Sequence, residues 1–150
     1  MRFAIEGDKS MGGNVIFVCT GNSCRSQIAE GLLRFLAKGR FQVFSAGTHP
    51  HGLNPLAVQV MEEIGIDISG QKSESLDRYV EDPFDFVITV CDKARETCPV
   101  FAGGGHRLHW SFEDPTAAAG SLDERLAVFR RVRDEIEHEL RQFLQDTETT

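Results

Sequence analysis

Short apolar runs alternate with amphipathic segments along this chain, and the alternation predicts its secondary structure. Residues 15–19 form an apolar run closed by a turn, which is typical of a buried strand. From Ser26 to Leu36 the apolar residues recur at helical spacing, and Gly39 favours a helix end just beyond them. Further strands are predicted over 41–46, 84–90 and 106–112.

Two more helices are predicted from their capping residues. Asn54 followed by Pro55 is a helix cap with proline in the first turn, and Gly65 closes that helix. Ser121 and Glu124 form a capping box that opens a long final helix. The apolar stripes are Leu56, Val60, Met61 and Ile64 in the first, and Leu122, Leu126, Phe129, Val132, Ile136, Leu140 and Phe143 in the second. Residues 67–75 are expected to be a loop or a short helix start, and 92–97 a short helix or loop.

Alternating strands and helices predict the α/β class. We expect right-handed crossovers and an open four-stranded parallel sheet with helices on both faces, as in Rossmann-like or flavodoxin-like folds. Ligands of such sheets bind beyond the carboxyl ends of the strands. Cys19, Cys91 and Asp114 each follow a predicted strand, so they should gather on one rim of the sheet.

Length and charge limit the remaining possibilities. With 150 residues, the chain is predicted to hold a single domain over 14–150, preceded by an N-terminal extension, 1–13, that can be disordered. The formal net charge of −7 argues against nucleic acid as a partner. No apolar segment is long enough for a membrane span, and the first residues lack the apolar core of a signal peptide. We therefore expect a cytoplasmic monomer.

The stretch from Cys19 to Ser26 carries the main candidate chemistry. Backbone N–H groups of such a loop can surround a tetrahedral anion, and the helix that follows adds positive charge at its N-terminus. Arg25 can bind two oxygens of the anion at once, and the same field favours Cys19 as a thiolate, which Ser26 can stabilise. The predicted anion-binding residues are Thr20, Gly21, Asn22, Ser23, Cys24, Arg25 and Ser26. The alternative is a buried cysteine with an ordinary turn.

The remaining cysteines and one acidic residue extend this site. Without an export signal, thiols serve catalysis, redox chemistry or metals more often than structural bridges. Cys91 and Cys98 can be buried apolar residues or can form a disulfide relay with Cys19, and the cysteine spacings fit zinc poorly. Asp114 can act as a general acid, with Glu113 as its rival. The five histidines show no ligand spacing and are interpreted as satisfied or solvated.

These motifs together resemble the low-molecular-weight tyrosine phosphatase fold, and more closely its thioredoxin-coupled arsenate reductases. The resemblance extends from residue 14 to the final helix. It is carried by residues 19–30, Val90-Cys91-Asp92, Cys98-Pro99 and Asp114-Pro115. The first motif is common to phosphatases and reductases, and the pair Cys91 and Cys98 favours a reductase.

The resemblance implies a function and a mechanism. Cys19 would attack arsenate while Asp114 protonates the departing oxygen, and Cys91 would then attack Cys19 and release arsenite. Cys98 would next attack Cys91, and thioredoxin or a similar thiol carrier would reduce the resulting disulfide. Cys24 is then a packing residue or one that shapes the loop. No cofactor and no metal are expected.

Alternatives remain open at this point. A phosphatase would use Cys19, Arg25 and Asp114 through a phosphocysteine, and a non-catalytic regulator would only bind an oxyanion. Some of the reductases that this chain resembles bind potassium through residues that match Asn22, Glu30 and Ser45. Lys72 stands where another oxygen ligand is expected, so we predict that its ammonium replaces the ion and pairs with Glu30.

Overall fold

The computed structural model describes residues 12–101 and 103–148. Within them lie the strands β1 (Gly13–Cys19), β2 (Phe41–Gly47), β3 (Phe86–Thr89) and β4 (His106–His109). The helices are α1 (Arg25–Ala37), α2 (Pro55–Glu62), α3 (Asp92–Thr97) and α4 (Leu122–Glu148). Residues 1–11 of the predicted extension lie outside the described residues, and Gly13 is already part of β1.

The four strands form one parallel sheet in the order β2-β1-β3-β4, which confirms the predicted fold class. Residues 14–19 are all buried, so both faces of β1 are covered by other elements. The order of the strands reverses between β1 and β3, and open α/β sheets bind ligands at such a switch point. Cys19, the last residue of β1, lies there.

Helix α4 closes the core by packing against α1 and α2. Its predicted apolar face is buried from Leu126 to Phe143, whereas Leu122 in the first turn is 53% exposed. The capping box forms as predicted: the Ser121 hydroxyl accepts the Glu124 N–H at 3.1 Å, and the Glu124 carboxylate accepts the Ser121 N–H at 2.8 Å. In the described part of the chain, no helix is long and apolar enough to cross a membrane.

Several element ends differ from the prediction. Strand β4 stops at His109 because the chain turns away after the Trp110 N–H donates to the Thr89 carbonyl at 2.9 Å. Phe84 is buried among aromatic rings without belonging to β3. Helix α2 ends at Glu62, so Ile64 lies beyond it and is 37% exposed. At Phe84 the apolar run therefore indicated burial, but it did not indicate where the hydrogen bonds of strand β3 begin.

We predict that Phe129→Ala lowers the free energy of unfolding by about 3–5 kcal/mol, because it removes a ring that is only 1% exposed and leaves a cavity. Urea denaturation measures this change. Phe35→Ala is the matched control, because Phe35 is 57% exposed on α1 and should lose far less. Equal losses in the two variants would contradict the packing described for α4.

Candidate active site

The loop between β1 and α1 forms the wall of a pocket of about 430 Å³. Cys19 ends the strand and Arg25 begins the helix, so strand, loop and helix follow each other as predicted. Asn22 and Ser26, in contrast, lie fully buried behind the loop. The predicted site residues that line the pocket are Cys19, Thr20, Gly21, Ser23, Cys24, Arg25, Cys91 and Asp114.

Two groups approach the sulfur of Cys19. The Asn22 backbone N–H donates to Sγ at 3.1 Å, and the Ser26 Oγ lies 2.9 Å from it. The Asn22 side-chain amide donates to the same Ser26 oxygen at 2.8 Å, which leaves the hydroxyl proton of Ser26 for Cys19. Both groups are therefore placed to donate hydrogen bonds to the sulfur.

Asn22 also fixes the shape of the loop. Its backbone is left-handed, with a φ of 48°, a conformation that asparagine tolerates better than most residues. Its amide nitrogen donates to the Ser45 hydroxyl at 2.9 Å, and its amide oxygen accepts the Glu74 N–H at 2.8 Å. The loop is thus tied to β2 and to the segment after α2 by a single side chain.

Arg25 and Asp114 face each other across the pocket, 3.8 Å apart between Nη2 and Oδ2. A second guanidinium nitrogen of Arg25 donates to the Phe112 carbonyl at 3.1 Å. Asp114 accepts the N–H and the hydroxyl of Thr116, at 3.0 and 2.7 Å, which orients its carboxylate. Its rival Glu113 pairs with Arg131 on α4 and is not among the residues that line the pocket.

Cys91 and Cys98 occupy different positions. The Cys91 Sγ lies in the pocket, 3.5 Å from the Thr20 hydroxyl. Cys98 follows the far end of α3, outside the pocket lining, where burial raises the pKa of its thiol. Of the three sulfurs of the predicted relay, the structure brings Cys19 and Cys91 together in the pocket and leaves Cys98 outside its lining. All four cysteines are free thiols.

Cys24 differs from Cys19 although both belong to the loop. Burial raises the pKa of its thiol to about 12, so it stays protonated and unreactive near neutral pH. This agrees with the prediction that Cys24 shapes the loop and takes no part in thiol exchange.

The pocket also contains residues that the sequence analysis missed. They are His51, Asp92, Lys93, Phe112 and Thr116. His51 was interpreted as an ordinary surface or core histidine, yet its backbone N–H donates to the Gly21 carbonyl at 2.8 Å. The available signal was topological: β2 neighbours β1, so the segment after β2 emerges at the same rim.

The predicted Glu30–Lys72 ion pair is not formed among the described residues. Arg34, one turn along α1, instead donates to the Glu30 carboxylate at 2.5 Å, and the Ser45 hydroxyl donates to it at 2.6 Å. Arg34 and Glu30 are four residues apart on a helix, a favourable spacing for an ion pair.

These oxygens do not suit potassium, because Arg34 and Ser45 already satisfy Glu30 and the Glu74 N–H occupies the Asn22 oxygen. Burial raises the pKa of Glu30 despite this pairing. Within residues 12–101 and 103–148, no group of three or more His, Cys, Asp or Glu side chains is arranged to hold a metal ion.

Comparison with known proteins identifies the family. Residues 14–150 match the model of the low molecular weight phosphotyrosine protein phosphatases, so the chain belongs to this family. Within it, an arsenate reductase from Halalkalibacterium halodurans is 47% identical over 129 residues, which cover 86% of this chain and 93% of that protein.

Solved structures agree with this assignment. An arsenate reductase in its phosphate-binding state superposes with a TM-score of 0.78 at 35% identity, covering 89% of this chain and 98% of that one. A thioredoxin-dependent arsenate reductase from Corynebacterium glutamicum gives 0.68 at 28% identity, covering 90% of this chain and 61% of that one.

We predict that Ser26→Ala slows alkylation of Cys19 by iodoacetamide at pH 7 by about tenfold, because the thiolate loses a donor. Mass spectrometry of the labelled peptide measures the rate. Ser23→Ala is the matched control, since the Ser23 hydroxyl contacts Cys24 instead. Equal rates in the two variants would show that the Ser26 contact does not stabilise the thiolate.

We also predict that the Tm is the same in potassium and in sodium chloride, because Arg34 already neutralises Glu30. Differential scanning calorimetry at equal ionic strength measures this, with choline chloride as the reference. A Tm several degrees higher in potassium alone would contradict the assignment of Arg34 as the resident cation.

Proposed function

We propose that this chain reduces arsenate to arsenite through Cys19, Cys91 and Cys98, with thioredoxin or a similar dithiol protein as the final reductant. The main support is the presence of two thiols, Cys19 and Cys91, in the wall of one pocket that also contains Arg25. Hydrolysis of a phosphate ester needs only the first thiol. A second thiol in the same pocket is what a reduction requires.

Arsenate binding follows from the charge of the loop. The chain as a whole carries a net charge of −7, so any attraction for an oxyanion must be local. Arg25 and Lys93 supply positive charge to the lining of the pocket, which also contains the carboxylates of Asp92 and Asp114. The loop and the start of α1 add backbone dipoles of the same sign.

In the first step, the Cys19 thiolate attacks arsenic and forms a sulfur–arsenic bond. Asp114 gives its proton to the departing oxygen, which leaves as water. This role needs the acid within reach of the pocket, and Asp114 meets that requirement beside Arg25.

In the second step, Cys91 attacks the sulfur of Cys19. A disulfide forms between the two, and the electron pair of the sulfur–arsenic bond passes to arsenic, which is thereby reduced from As(V) to As(III) and released as arsenite. Arsenite is the leaving group in this step, and Cys19 leaves in the next one, where Asn22 and Ser26 can stabilise the departing sulfur.

In the third step, Cys98 attacks Cys91 and frees Cys19. The Cys91–Cys98 disulfide is then reduced by the external dithiol. The assignment of thioredoxin is supported by the relative from Corynebacterium glutamicum, which is named as thioredoxin-dependent. We place this cycle in the cytoplasm, where thiols are kept reduced.

A weaker phosphatase activity is expected beside reduction, because phosphate and arsenate share shape and charge. Cys19, Arg25 and Asp114 are sufficient for a phosphocysteine mechanism. The family to which the chain belongs carries that name. Thr116 and the alanines after it, however, offer no aromatic wall for an aryl substrate.

We predict that Cys91→Ser and Cys98→Ser each reduce arsenate-dependent NADPH oxidation to background, because the relay is broken. The assay contains thioredoxin and thioredoxin reductase. Hydrolysis of an aryl phosphate serves as the internal control and should persist in both variants. Arg25→Lys should lower both activities by about 100-fold, because lysine cannot form the paired hydrogen bonds.

Arsenate turnover that survives in both cysteine variants would overturn the relay. Aryl-phosphate hydrolysis without any arsenate reduction in the unsubstituted protein would establish the phosphatase instead.

A further inference from the structure

One face of strand β4 holds both ends of α3, the helix that separates Cys91 from Cys98. Arg107 and His109 are two residues apart in this strand, so their side chains point to the same face. Arg107 donates to the Cys98 carbonyl at 2.7 Å and to the Pro99 carbonyl at 3.0 Å. At the other end, the His109 ring lies 2.9 Å from the Asp92 carboxylate.

The His109 contact is part of a local network. Its second ring nitrogen lies 2.7 Å from the Thr89 hydroxyl, which orients the ring toward Asp92. Hydrogen bonds from His109 and Ser111 hold the pKa of Asp92 below its usual range, so its carboxylate is ionised. The mechanism proposed above uses neither Arg107 nor His109.

A disulfide between Cys91 and Cys98 is incompatible with this arrangement. Cys91 and Cys98 are seven positions apart at the two ends of α3, and a rise of 1.5 Å per position separates their Cα atoms by about 10.5 Å. The two Cα atoms of a disulfide lie only about 4.4–6.8 Å apart. Helix α3 must therefore unwind when Cys98 attacks Cys91, and its ends must move relative to β4.

We propose that Arg107 and His109 are positioning residues that dock the reduced Cys91–Cys98 segment on β4 and thereby raise the reduction potential of this cysteine pair. We call the two residues the β4 dock. The inference rests on the relay of the proposed function. The dock stabilises the helical dithiol form, so weakening it favours the disulfide.

The positive charge of Arg107 alone would also raise the reduction potential of the pair, because a cation near Cys98 favours its thiolate. Two variants separate these causes. Arg107→Lys keeps the charge but loses the fork that binds two carbonyls. Arg95→Gln removes a positive charge from exposed Arg95 on α3 itself, which acts on Asp92 through its charge.

The test measures the thiol–disulfide equilibrium of Cys91 and Cys98 in a Cys19→Ser background, in glutathione buffers without arsenate. Each disulfide formed converts one oxidised glutathione into two reduced ones. Alkylation and peptide mass spectrometry give the oxidised fraction. Cys24 is buried, and its raised pKa keeps it out of the exchange.

We expect Arg107→Gln, Arg107→Lys and His109→Phe each to increase the equilibrium constant for disulfide formation by about tenfold, which is about 30 mV in potential. Arg95→Gln should match the parent. Parental values in all three dock variants would overturn the dock. A parental value for Arg107→Lys alone would also overturn the dock, because charge would then be the cause. The same conclusion would follow from a shift in Arg95→Gln equal to that of the dock variants.

Failure of the proposed function gives different results. If no Cys91–Cys98 disulfide forms in any buffer, both the relay and the dock are wrong. If the potentials shift as expected but the unsubstituted protein does not reduce arsenate, only the proposed function fails.

A measurement on the unsubstituted chain guards against misfolded variants. The ¹⁵N signals of the His109 ring should change when the protein is oxidised, because the contact with Asp92 breaks. Unchanged signals in the oxidised protein would overturn the dock.

Discussion

The side chain of Asn22 is the contact on which the whole site depends. It joins the loop to β2 through Ser45, to the segment after α2 through Glu74, and to the nucleophile through Ser26. These partners come from distant parts of the sequence, so the loop keeps its shape only in the folded chain. The close packing leaves no spare room: a Cβ on Gly47 would lie 2.6 Å from the Thr20 carbonyl oxygen. The two donors at the sulfur of Cys19 and the position of Arg25 in the same pocket both follow from this fixed loop.

Burial then distinguishes the four thiols. Cys19, Cys24 and Cys91 line the pocket, but burial raises the pKa of Cys24 to about 12, and it also raises that of Cys98 outside the lining. Substrate therefore meets Cys24 as a protonated thiol beside Cys19 and Cys91. Cys98 becomes useful once α3 unwinds, and the contacts of α3 with β4 decide how easily that happens. In the proposed cycle, the unwinding of α3 thus separates the attack of Cys91 on Cys19 from the attack of Cys98 on Cys91.

The sequence was sufficient for features that depend on local order along the chain. The apolar run before Cys19, the loop, Arg25 and the amphipathic helix predicted both the parallel sheet and the position of the pocket. The capping box at Ser121 was equally local.

The predictions that failed depended on neighbours in space. The exception is Glu30, which Arg34 rather than Lys72 neutralises, because their spacing of four residues on α1 was a local signal for this pair. His51 and His109 looked ordinary because their partners are supplied by other elements. Leu122 and Ile64 fit apolar stripes, but Leu122 lies in the exposed first turn of α4 and Ile64 lies beyond the end of α2.

The central claim is that Cys19 and Cys91 share one pocket so that substrate at the first thiol is released by the second. A single turnover of the Cys98→Ser variant with arsenate tests it most directly, with quenching by acid and mapping of disulfide-linked peptides. The account predicts one arsenite per protein molecule and a disulfide that joins Cys19 to Cys91. Arsenite formed without that disulfide, or a disulfide that joins Cys24 to either residue, would contradict it.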